Sequence, residues 1–329
     1  MRLLRRTEVL LAMTLLMMGC GGLGLIPAAD PTSSVEPTLT LTPLLFPTEP
    51  FDQTQGKPAT ATPTIIPTQT FTPSPSPTFT FIPSATPTPE FILQGPGEVV
   101  VPILLYHHIG ISPSGSLYYV SPEEFDRQMY LLRAWGYRTI SIQQLVDAIR
   151  RGANLPNRPI ILTFDDGSET VFTTAMPIMQ KYGFTGTAFI VYNYIGAGLY
   201  MNVDQIKSLH DSGWEIGSHS LSHVNLRQRP GKQEDEISSS KRRLEERLGF
   251  PIPVFAYPFG ANDASSLRLV RESGYIAAVG LGEGIRQSVE NIYYLYRRDI
   301  TSAYDLRTFS GFLPWQEDLN NLPAVTIVP

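Results

Sequence analysis

The chain has 329 residues, 42% of them hydrophobic and 17% charged, with a formal net charge of −5. That length suits one large domain or two modest ones. Residues 97–329 carry 21 Lys and Arg against 24 Asp and Glu. This near-balance speaks against nucleic acid or another polyanion as partner and suits a neutral or weakly charged substrate.

At the N-terminus, Arg2, Arg5 and Arg6 precede an apolar run from Val9 to Met18. The run is short for a spanning helix and has the character of an export signal. The only cysteine, Cys20, follows Gly19 directly. Leu16-Met17-Met18-Gly19-Cys20 resembles a bacterial lipobox, which implies cleavage before Cys20 and lipid attachment to its sulfur. An ordinary cleaved signal or a short anchor, with an incidental cysteine, is the alternative. Residues 1–20 are therefore expected to be a signal peptide. The product is expected to be exported and tethered to the membrane by lipid, facing the cell wall or extracellular space. Residues 28–96 then hold 15 of the 29 prolines, interleaved with Thr and Ser. Proline fixes φ and removes a donor, so residues 21–97 read as an extended, disordered linker.

From residue 98 to 329 the pattern is that of a folded domain. "EVVVPILLYHHI" (98–109) predicts a buried strand. In "SPEEFDRQMYLLRAWG" (121–136), Ser121 is an N-cap, Pro122 occupies the first turn and Glu124 is placed for a capping box. "YRTI" is a strand, and Ser141 caps "IQQLVDAIRRG". "RPIILTFDDGSET" (158–170) supplies the next strand, followed by the helix "ETVFTTAMPIMQKYG". Strands "TGTAFIVY", "WEIGSHS", "PVFAYPFG" and "YIAAVGL" then alternate with helices "NVDQIKSLHDSG", "QEDEISSSKRRLEERLG" and "ASSLRLVRESG". Such alternation predicts a parallel α/β architecture, either a barrel or an open sheet, with chemistry at the strand ends.

The strand ends hold the polar clusters. Asp165 and Asp166 end one apolar run, His219 and His223 follow another, and His107 and His108 end the first. Two adjacent buried carboxylates repel and are costly to desolvate unless a cation offsets them. A His-x3-His pair with a strand-end Asp supplies the two imidazoles and one carboxylate of an open divalent site. One acid then ligates the cation while the other stays ionised beside it.

"TFDDG" (163–167), "HSLSH" (219–223) and "YPFG" (257–260), in this order, resemble the first three motifs of the polysaccharide deacetylases, the NodB-homology enzymes of carbohydrate esterase family 4. "WEIGSHSLSHVNL" and the early "YHHI" are similar too, so the resemblance covers roughly residues 98–300. It implies a distorted (β/α) barrel and metal-dependent removal of acetyl from N-acetylglucosamine polymers, with an N-acetylated polysaccharide as partner; the chain is expected to be monomeric. By motif position, Asp165 is the general base, and Asp166, His219 and His223 form the metal site. A metal-bound water deprotonated by Asp165 attacks the acetamide carbonyl, and the backbone N–H of Phe259 steadies the oxyanion. Phe259 stands where the family usually has Tyr. The ligand set suits Zn2+ first, with Co2+ or Ni2+ open.

Two departures shape the remaining expectations. Ala256 occupies the position at which the family carries an Arg that orients the base. Arg297 or Arg298 in "YRRDI" would replace it from another strand, and Arg298 is taken as the replacement. No late Leu-x-His motif is present, and no histidine follows His223. His107 is therefore taken as the proton donor to the leaving amine, since strand alternation turns His108 the other way. These departures keep two alternatives open: a catalytically weak, wall-binding lipoprotein on the same scaffold, and a hydrolase of another acyl amide or ester.

Overall fold

The computed structural model describes residues 90–325 and residue 327. The expected signal peptide, Cys20 and residues 21–89 of the expected linker lie outside the described residues. Eight strands form one sheet: β1 (Ile103–Tyr106), β2 (Arg138–Thr139), β3 (Pro159–Phe164), β4 (Thr187–Ile190), β5 (Glu215–Ser218), β6 (Val254–Ala256), β7 (Ala277–Val279) and β8 (Arg298–Asp299). Their spatial order is β7-β6-β5-β4-β3-β1-β8, with β2 also beside β3. Every pairing in this sheet is parallel. This is a distorted, incompletely closed barrel, one of the parallel α/β architectures that the alternation allows and the one that the motif resemblance implies.

The helices begin where the sequence placed their caps. Before α1 (Pro122–Ala134), the Ser121 side chain accepts from the Glu124 N–H. The expected reciprocal bond is missing, because the Glu124 carboxylate turns to Arg127, 3.1 Å away. Ahead of α2 (Ile142–Arg151), Ser141 and Gln144 complete a full capping box. Two later helices open on a wide π-turn: Val171–Ala175 leads into α3 (Met176–Lys181), and Asp235–Ser239 leads into α5 (Ser240–Leu248). Between them lies α4 (Val203–Asp211), and α6 (Ala264–Glu272) follows.

Period-2 alternation divides the core into two clusters. Leu104, Tyr106, Leu162, Phe164, Phe255 and Tyr257 pack with residues of α1 and α4–α6. Ile103, Ile161, Phe189, Val254, Ala256 and Val279 form the other face, packed against α2. Burying a side chain such as Phe164 is worth about 2 kcal/mol. Repeated along five central strands, the alternation fixes which residues reach each face.

The folded domain starts before the expected boundary at residue 98. Phe91–Gln94 pairs antiparallel with Ala153–Pro156, Phe91 opposite Pro156 and Gln94 opposite Ala153. "FILQ" contains no proline, so its N–H groups can complete a ladder that the Pro/Thr-rich tract cannot.

Candidate active site and metal centre

The face carrying Ile103, Ile161, Val254 and Ala256 opens, at the carboxyl ends of the strands, into a cavity of about 190 Å³. Alternation along β3 sends Thr163 and then Asp165 to this side, and alternation along β1 sends His107 there. The chain turns sharply after Asp165: Asp166 has φ 68° and Gly167 has φ 76°. Gly167 permits the turn as expected, but Asp166 shares the left-handed conformation. Among the described residues, the non-glycine residues with positive φ are Asp166, Ser220, His223 and Phe259. All four lie at this site, where such strain costs of order 1–3 kcal/mol each and must be over-determined by surrounding contacts.

Asp166, His219 and His223 bring one ligand atom each to within 4.8 Å of one another. Asp166 Oδ1 lies 3.6 Å from His219 Nε2 and 3.3 Å from His223 Nε2. The Ala256 carbonyl, which can only accept, takes the His219 Nδ1–H at 2.9 Å. That bond fixes the tautomer and leaves the Nε2 lone pair facing the two carboxylates, with Asp165 Oδ2 and Asp166 Oδ1 each 3.6 Å away. Burial holds the His219 ring down at about 4, and burial lowers His223 as well, so both are neutral at pH 7, the form that ligates a metal.

Asp166 Oδ1 is buried and has no hydrogen-bond partner. Burial, reinforced by the charge of Asp165, pushes its carboxyl up to about 7. A buried carboxylate oxygen with two imidazole nitrogens and no donor is short of positive charge. A divalent cation of the zinc, cobalt or nickel type fits that donor set.

Asp165 has a different environment. Arg297, 1% exposed, grips it with two parallel bonds, Nη1 to Oδ1 at 2.7 Å and Nη2 to Oδ2 at 2.8 Å. Burial alone would raise the Asp165 carboxyl, but the Arg297 guanidinium overcomes it, helped by His219, and holds the group well below the usual range. Arg297 Nη1 also donates to Thr163 Oγ1 at 3.1 Å, and its Nε to the Gly280 carbonyl at 3.0 Å.

This corrects the choice of Arg298. Arg298 lies on the opposite face of β8, pairs with exposed Glu283 at 2.7 Å and covers the Phe312 ring. The reason is the period of two: Asp299 stands opposite inward-facing Leu105, so Arg297, two residues before it, points inward and Arg298 outward. Leu295, buried in the inner cluster, has the same parity and is the sequence signal that would have selected Arg297.

His107 and His108 both line the cavity, but the His108 ring turns toward Tyr119, stacking at 4.3 Å, and places its Nδ1 2.8 Å from Ser168 Oγ. The His107 Nδ1 lies 3.8 Å from Asp299 Oδ1, and neither atom has a hydrogen-bond partner. Burial brings the His107 ring down to about 4, so it is neutral at pH 7. Asp299 was not singled out in the sequence; only the β1–β8 pairing brings it to the site.

Phe259, with φ 61°, is 60% exposed and sets its ring 4.7 Å from that of His223. Its loop is pinned by Tyr294, whose hydroxyl donates to the Gly260 carbonyl at 2.8 Å and lies 3.3 Å from the Leu281 N–H.

Comparison with known proteins places this arrangement. Residues 152–278 match the family model described as polysaccharide deacetylase. A poly-β-1,6-N-acetyl-D-glucosamine N-deacetylase of Staphylococcus aureus is 25% identical over 213 residues, covering 59% of this chain and 73% of that protein. Among solved structures, the Streptococcus pyogenes deacetylase PplD, in complex with acetate, is 26% identical with a TM-score of 0.60, covering 69% of this chain and 99% of its own. IcaB from Ammonifex degensii is 27% identical with a TM-score of 0.55, covering 64% of this chain and 94% of its own. With the motif residues gathered at the mouth of a parallel half-barrel, the chain resembles the polysaccharide deacetylases in sequence over residues 152–278 and in fold, and these likenesses support a deacetylase-type hydrolase.

Proposed function

We propose that the chain removes N-acetyl groups from N-acetylglucosamine-containing polysaccharide, with Asp166, His219 and His223 holding a divalent cation. The observation that carries this reading is the meeting, in one cavity, of the three ligand atoms with an Asp165 locked by Arg297. The S. aureus relative, named for poly-β-1,6-N-acetyl-D-glucosamine, supports a β-1,6-linked polymer as the first substrate to test.

When bound, the cation supplies Lewis acidity to the acetamide carbonyl and to the attacking water. Asp165, ionised at working pH, accepts the proton of that water as its oxygen adds to the carbonyl carbon. The Phe259 N–H meets the developing oxyanion. His107 protonates the amine nitrogen as the C–N bond breaks and acetate leaves. Its ring starts neutral, so the proton it delivers is the one the water gave up, passed on through the Asp165 carboxyl.

One observation favours a second assignment of the same protons. Both oxygens of Asp165 already accept from Arg297, at 2.7 and 2.8 Å, while the neutral His107 ring lines the same cavity. In that assignment His107 both takes the water's proton and gives it to the amine. Acetate release that survives in Asp165→Asn but falls about 10²-fold or more in His107→Gln selects it.

The test of the activity itself is acetate release from β-1,6- and β-1,4-linked N-acetylglucosamine oligomers, with and without chelator. Release that is chelator-sensitive and restored by zinc, cobalt or nickel is expected. Measurable binding of the oligomers without any release would instead leave a wall-binding protein. Export and anchoring are also proposed, on Arg2, Arg5, Arg6, the Val9–Met18 run and Cys20. Palmitate labelling that is lost in Cys20→Ala checks the anchor.

A further inference from the structure

The loop that carries both histidine ligands has a backbone shape that L-residues rarely adopt. Ser220 has φ 69° and His223 has φ 57°, so two of its five residues are left-handed without being glycine. Something outside the loop must hold it so. Ser220 Oγ accepts the His223 N–H at 2.9 Å, which closes the turn from within. From another element comes Glu236, in the π-turn Asp235–Ser239, 2% exposed. Its Oε2 accepts the Leu221 N–H at 3.0 Å and the Ser222 N–H at 2.8 Å, and its Oε1 accepts the Ser222 hydroxyl at 2.5 Å. The carboxyl thus takes three hydrogen bonds from two of the three residues between the ligands, Leu221 and Ser222.

We propose that Glu236 is a positioning residue for the metal centre: through Leu221 and Ser222 it fixes the direction of His219 and His223 and so sets how tightly the site holds a divalent cation. The inference rests on the metal reading of Asp166, His219 and His223. It differs from a plain structural role in what it moves. A carboxyl that only stabilised the fold would, when removed, lower the stability of metal-free and metal-loaded protein alike. A carboxyl that holds ligands in register lowers the affinity itself, because the free loop must then be ordered by the cation.

The experiment is zinc binding by the full chain, measured by competition with a chromogenic chelator, alongside unfolding midpoints with and without zinc. Glu236→Ala is expected to weaken zinc binding about 10- to 100-fold and to shrink the zinc-induced rise in midpoint. Glu236→Gln, which still presents an acceptor to both N–H groups, is expected to recover most of the affinity. If the Ala variant does not fold, Glu236→Asp, with the acceptor drawn back by one methylene, takes its place and is expected to weaken binding at least fivefold. Zinc affinity within twofold of wild type in Ala or Asp overturns the proposal. A wild-type chain that takes up neither zinc, cobalt nor nickel defeats the metal reading instead, so the two failures are distinct.

Discussion

Replacing Arg297 by Met keeps the unbranched apolar stem of the side chain and removes its charged head. The change takes away two bonds to Asp165, one to Thr163 and one to the Gly280 carbonyl. Asp165 is left buried with no cation against it. Removing one partner of a buried pair costs about 3–5 kcal/mol. At about 2–4 °C per kcal/mol for a domain of this size, the midpoint should fall by about 6–20 °C. The pH dependence has a definite sign. In the wild type the folded-state Asp165 value lies below the unfolded one, so its stabilising contribution is full above about pH 4 and is lost as pH falls through the folded value. In the variant burial acts without the guanidinium and raises the carboxyl. The deficit relative to wild type should therefore be largest near neutrality and shrink toward pH 4, as the buried carboxyl of the folded variant takes up its proton. Calorimetry of both proteins between pH 4 and 8 reads this, and Arg297→Lys, with a point charge but no fork, should recover part of the loss. A Met variant that unfolds within 2 °C of wild type at pH 7, or a deficit that does not change with pH, refutes the reasoning.

The raised carboxyl of Asp166 makes a prediction of opposite sign. Burial and the Asp165 charge lift it from 3.8 to about 7, so metal-free protein should lose roughly 4 kcal/mol as pH rises between those values. Urea titrations at stepped pH should show this slope, and Asp166→Asn should abolish it; a slope unchanged in the Asn variant counts against the assignment. Arg298→Ala should change stability by less than about 0.5 kcal/mol and leave kcat intact, because its partner Glu283 is 80% exposed; a tenfold loss of kcat would restore Arg298 to the site. In Gly280→Ala, a Cβ would lie 2.1 Å from the Tyr294 ring. The ring must move, with a cost of about 1–3 kcal/mol, and its hydroxyl leaves the Gly260 carbonyl. Tyr294→Phe, which loses only the hydroxyl, should lower kcat with a smaller loss of stability if that bond steadies the Phe259 loop.

Much of this was legible in the chain because the signals are local. "TFDDG" and "HSLSH" place their acids and imidazoles within one turn of a strand end, where short-range geometry decides what they can reach. The strand–helix alternation, the caps at Ser121 and Ser141 and the opposite directions of His107 and His108 likewise follow from periods of 3.6 and 2. What local pattern could not supply were partners across the sheet. Asp165 meets Arg297 at a separation of 132 residues, and His107 meets Asp299, only because β8 lies beside β1 and β1 beside β3. Choosing Arg298 over Arg297 was a one-residue error of parity, and parity is set by sheet register, which the paired strand determines. The left-handed residues at Asp166, Ser220, His223 and Phe259 and the reach of Glu236 to Leu221 and Ser222 belong to the same class. By itself, then, the amino-acid order determined which acids and imidazoles stand at the strand ends and the element each sits on. Tertiary packing alone decided which charge neutralises which, and how the ligand loop is held, because those contacts join segments whose proximity depends on the order of strands in the sheet.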